Sequence, residues 1–157
     1  MKPSRPTFLV ALVVVLALIT WAVLDTAYVS LPPLPWTAVP TLLLLALGEA
    51  FTGWNTLRRI RRKEGTRPVE PLVVARMAAL AKASAHAAAV LAGVFAGFAL
   101  GLADSLDKQT PRDDFFVSLG TFLAAVALVG AAYFLEFACR VPKDPEDEAR
   151  DRGRSRA

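Results

Sequence analysis

Cysteine is nearly absent, and the single one, Cys139, excludes an internal disulfide framework and any zinc site built from cysteines alone. Histidine is as scarce: His86 beside one glutamate in an apolar run gives too few ligands for a metal centre, and no cofactor is expected. Catalytic signatures are missing too, with no Gly-x-Ser-x-Gly, no phosphate-binding glycine loop and no His-Glu-x-x-His. Charge is missing from long stretches. Charged residues are 20% of the 157 but clumped, while hydrophobic residues reach 55% and mean hydropathy is +0.45, more apolar than an ordinary soluble domain. A net charge of +4 could suggest nucleic acid, but the charges flank apolar runs. That placement points to a lipid bilayer as partner, with no nucleic acid.

Four runs approach the length of about 20 apolar residues that a spanning helix needs. They cover about 8–30, 38–57, 80–103 and 115–139. Each is expected to be helical, because a backbone in lipid must satisfy its own hydrogen bonds. Lys2 and Arg5 ahead of the first run could mark a cleaved signal, yet the run is long and no small-x-small site follows it. The fold class expected is all-α: an integral membrane bundle of four transmembrane helices in residues 1–140. A charged tail, 141–157, is expected to be disordered.

Lysine and arginine set the orientation. Lys2 and Arg5, the cluster Arg58, Arg59, Arg61, Arg62, Lys63 and Arg67, then Arg76, Lys82 and the basic residues from Arg140 onward all fall on one side. Of the 18 basic residues only Lys108 and Arg112 fall on the other, among Asp104, Asp107, Asp113 and Asp114. Both termini and the basic loop are therefore expected in the cytoplasm of a multi-pass plasma-membrane protein. The outer connection Leu31-Pro32-Pro33-Leu34-Pro35-Trp36 is short and stiff, which predicts a tight hairpin of the first two helices. Thr110 is expected to cap the fourth helix, with Pro111 at its first position and the acids at its positive end. Tyr28, Trp36 and Trp54 are expected at the membrane interfaces.

Ionisable groups within a span are costly and are functional candidates by default. Glu49, Lys82, His86 and Glu136 are the four, all in the cytoplasmic half. Their depths permit Glu49 to meet His86, and Glu136 to meet Lys82 or Arg76. A proton- or ion-coupled relay through Glu49 and His86 is the functional reading; joining helices, or snorkelling of Lys82 and Arg76, is the structural one. In the third helix Ala81, Ala85, Ala89, Gly93, Gly97 and Gly101 recur every four residues. Such a face lets another helix approach closely, from this chain, from a second copy or from another membrane protein.

Several stretches carry a family resemblance: Arg5-Pro6-Thr7, Leu31 to Trp36, Arg67-Pro68-Val69-Glu70-Pro71-Leu72, and Leu80-Ala81-Lys82-Ala83-Ser84-Ala85 running into Gly93 and Gly97. In order and spacing they resemble an actinobacterial family of four-span membrane proteins of unknown function, often encoded near folate-biosynthesis genes. The resemblance implies a plasma-membrane protein and supplies no catalytic residues. The function expected is a non-enzymatic interaction partner or accessory subunit. The alternative is a small-solute or proton-coupled transporter using Glu49.

Overall fold

The structure is a computed structural model and describes residues 6–28, 32, 34–60 and 71–139. Four helices occur among them: α1 Pro6–Ala27, α2 Ala38–Ile60, α3 Pro71–Leu102 and α4 Gln109–Ala138, with a short 3-10 turn at Ala103–Ser105. The described residues contain no strand. Three helices, α1, α3 and α4, are long and apolar enough to cross a membrane. α2 has 23 residues but falls outside that group. Pro40, Thr41, Glu49, Thr52 and Asn55 dilute its apolar content. The basic residues 61–67 and the tail lie outside the described residues, as does the segment 1–5.

Helix starts follow local chemistry. α3 opens on Pro71, whose missing N–H costs nothing at a first helical position. At 32 residues, or about 48 Å at 1.5 Å per residue, it exceeds a hydrocarbon core of about 30 Å. α4 starts earlier than the sequence suggests. Lys108 is its N-cap, without a side-chain cap hydrogen bond, so Thr110 does not cap and Pro111 stands in the first turn, not at its first position. Proline is tolerated there because those N–H groups have no intrahelical acceptor.

Packing order differs from chain order. α3 and α4 form the central pair, α1 packs on α3, and α2 packs on α4. The expected tight hairpin of α1 and α2 is therefore replaced by two separate dockings. The central seam is antiparallel and built of alanine. Ala81 meets Leu135 and Cys139; Ala85 and Ala89 meet Ala132; Ala88 and Ala92 meet Ala124, Ala125 and Leu128. Small side chains let two backbones approach and gain dispersion contacts along their whole length, which is what holds helices together when lipid is as apolar as the core.

The flanking pairs run parallel. Ideal Cβ atoms built on Gly93, Gly97 and Gly101 would meet Val13 and Leu16, Ala17 and Thr20, and Leu24 in turn. On the other flank Gly120 lies against Val39, and Gly53 against Phe134 and Leu135. Both parallel registers bring the α1–α2 connector and the 103–108 turn to one end of the bundle, here the short-connector end. Large apolar side chains of α1 and α2, among them Val14, Leu18, Trp21, Leu44, Leu47 and Phe51, face outward. In water this would be a liability; against hydrocarbon it is the favourable arrangement.

Candidate functional site

Polar groups occupy three places. The first is the short-connector end. Asp114, 6% exposed, sits in the second turn of α4 and accepts two hydrogen bonds. The Tyr28 hydroxyl donates to Oδ2 at 2.9 Å and the Leu34 backbone N–H donates to Oδ1 at 3.1 Å. One carboxylate thus fastens both the end of α1 and the start of α2's lead-in to α4. Tyr28 is not merely an interfacial aromatic. Burial and the Asp114 carboxylate push its phenol up to about 12, because both oppose a second negative charge there.

Beside this tie is a crevice of about 330 Å³ between the ends of α1, α3 and α4. The buried Leu24 and Leu102 with Gly101 form its apolar part, and Tyr28, Ser105 and the exposed Lys108 its polar part. A shallower groove next to it is lined by Asp107, Arg112 and Asp113 and shares Lys108.

The second place is the α2–α4 seam. Val39, Leu42, Ala46, Glu49, Gly53 and Thr56 follow three- and four-residue spacing along α2, the stripe that packs on α4. Glu49 is half-buried within it, and the register set by Val39–Gly120 and Gly53–Phe134 brings it level with Gly130. Its Oε2 is buried without a hydrogen-bond partner, as are Ser118 Oγ and the Tyr133 hydroxyl. Thr56 reaches across to α3, its hydroxyl 3.6 Å from Met77 Sδ.

The third place is the other half of α3. His86 lies 2.7 Å through Nδ1 from the Lys82 carbonyl oxygen, so Nδ1–H donates within its own helix. Its ring stacks obliquely on Phe8 of α1, with centroids 6.1 Å apart. His86 and Glu49 therefore share a depth without meeting: one faces α1, the other sits in the α2–α4 seam. Sequence depth alone could not separate the two sides of the bundle. Lys82 is exposed and Glu136 half-buried, and the contact of Ala81 with Leu135 places them at one level. No group of three or more potential metal ligands occurs among the described residues.

The glycine row of α3 is used inside the chain. A Cβ on Gly93 would come 2.8 Å from the Val13 carbonyl oxygen, and one on Gly97 2.6 Å from that of Ala17. Both obstacles are backbone, so only glycine permits this approach. At Gly101 the obstacle is the movable Leu24 side chain, at 2.5 Å. Gly53 plays the same part for α2, with Leu135 Cα at 3.2 Å, and sequence reading missed it because it belongs to no four-residue glycine repeat.

A family model described as a protein of unknown function (DUF3180) matches residues 9–143, nearly the whole helical region. The chain belongs to that family. Neither a curated protein nor a solved structure matches it. The match spans all four helices, the Asp114 tie and the alanine seam.

Proposed function

We propose that the chain is a plasma-membrane protein of four spans, with both termini and the basic loop in the cytoplasm, acting as a non-enzymatic interaction partner or accessory subunit. The reading of α2 as a span is supported by its docking. It runs parallel to α4 from the level of Gly120 to that of Phe134, so a bilayer that holds α4 holds α2 beside it. The side assignment is supported by the basic residues around 58–67 and after 140, against Lys108 and Arg112 alone at the short-connector end.

The observation that carries the interaction role is the α3–α4 seam. Ala81, Ala85, Ala88, Ala89, Ala92, Ala125 and Ala132 are at most 1% exposed, so the centre of the bundle is filled through its depth. What the molecule offers is its surface. The second reading, small-solute or proton-coupled transport through Glu49, draws on one observation, the buried Oε2 without a partner.

Affinity purification in mild detergent from the native membrane separates the two. An interaction partner brings a second protein in fixed ratio, and Glu49→Gln leaves that ratio unchanged. A chain that emerges alone, together with a Glu49→Gln variant that folds and inserts but abolishes a solute flux, overturns the reading in favour of transport.

A further inference from the structure

The apolar stretches of three helices stop near the crevice beside Tyr28. The candidate span of α1 ends at Leu24, the apolar run of α3 ends at about Ala103, and that of α4 begins at Phe115, one turn past the crevice's Pro111. Leu24 lies in the crevice's apolar part and Ser105 and Lys108 in its polar part, so the cavity straddles the line where hydrocarbon gives way to headgroups. Among the described residues, Lys108 is the one charged side chain lining it. It is exposed, stands at the N-cap of α4, and makes no side-chain cap hydrogen bond. The positive end of α4 adds to its field.

We infer that this crevice seats the phosphate of a membrane phospholipid. The Lys108 ammonium pairs with the phosphate oxygens, the Ser105 hydroxyl donates to one of them, and Leu24 and Leu102 cover the glycerol and first methylenes. Tyr28 contributes its ring as a wall, because its hydroxyl is committed to Asp114. At about 330 Å³ the cavity is at the small end of ligand sites, which run from about 300 to 1,000 Å³. It holds a headgroup and leaves the acyl chains along the outward faces of the helices. The neighbouring groove, which shares Lys108, is a poorer match: it adds Arg112 but also Asp107 and Asp113, so its two cations are offset by two acids.

The chemistry recognised is a phosphate group, and a free anion could in principle supply it, so the test has an arm for each source. Full-length protein purified in mild detergent is mixed with micelles containing phosphatidylglycerol, and the bound lipid is counted by native mass spectrometry. Lys108→Gln is expected to weaken lipid binding about tenfold, the loss of one charge-assisted contact. Arg112→Gln is expected to keep wild-type binding, and both variants should melt as the parent does. Inorganic phosphate is expected to leave the bound lipid in place, since it lacks the leucine contacts. Unchanged binding in Lys108→Gln, or an equal loss in Arg112→Gln, overturns the site. Displacement by inorganic phosphate overturns the lipid as its occupant.

Discussion

Asp114 and its two donors, Tyr28 and Leu34, are separated by 86 and 80 residues of sequence, yet the carboxylate holds all three together. Removing the acceptor leaves a half-buried hydroxyl and a half-buried backbone N–H without their partner. Asp114→Ala is therefore expected to destabilise the protein by about 1–3 kcal/mol, read as a fall in melting midpoint in detergent. Asp114→Asn retains a carbonyl oxygen and should lose less. Tyr28 makes the same tie visible through pH. Its folded phenol is raised to about 12 from the ordinary 10, so its contribution is fully present below pH 10. It is lost as pH rises from there toward 12, because the unfolded chain gives up the proton first. Tyr28→Phe should abolish that alkaline loss of stability; an unchanged profile would mean another group causes it. Nothing local in the sequence announces this tie. Asp114 reads as one more acid near a helix start and Tyr28 as an interface aromatic, because hydrogen bonds between distant segments leave no spacing pattern.

Helix docking rests on where glycine is obligatory. Gly97 and Gly130 make a matched pair: a Cβ on the first would strike the Ala17 carbonyl oxygen, while one on the second would meet nothing within 4 Å. Gly97→Ala is expected to force α1 from α3 and cost about 1–3 kcal/mol. Gly130→Ala should be neutral, or stabilise by up to about 1 kcal/mol through helix propensity. Thermal unfolding in detergent compares them, and equal behaviour would contradict the docking described. The repeat Gly93, Gly97, Gly101 was legible because four-residue spacing puts all three on one helix face. The identity of the neighbour was not, since a smooth face suits any helix. Gly53 was hidden for a related reason: its role appears only when α2 is seen as the stripe Val39, Leu42, Ala46, Glu49, Gly53 and Thr56, which mixes apolar, acidic and small residues. Most helix ends were legible to within about three residues from the apolar runs, but α3 starts nine residues and α4 six residues ahead of its run, because a helix continues past the stretch that hydrocarbon requires. The start of α4 was misjudged because Thr110-Pro111 imitates a cap, while the helix begins two residues earlier on Gln109.

At the scale of the whole molecule, the order α1–α3–α4–α2 was beyond the sequence, since helices that are apolar on every side carry no mark of which side is inward. What the sequence does carry is the asymmetry of its basic residues, and that asymmetry makes a prediction about both ends of the bundle at once. In a background where the buried Cys139 is replaced, a single cysteine is placed at Lys108 or at Arg62, and intact cells are treated with a membrane-impermeant thiol reagent. Four spans with cytoplasmic termini predict labelling of Lys108→Cys from outside and of Arg62→Cys only after the cells are opened. Labelling of Arg62→Cys on intact cells, with Lys108→Cys protected, would contradict that topology.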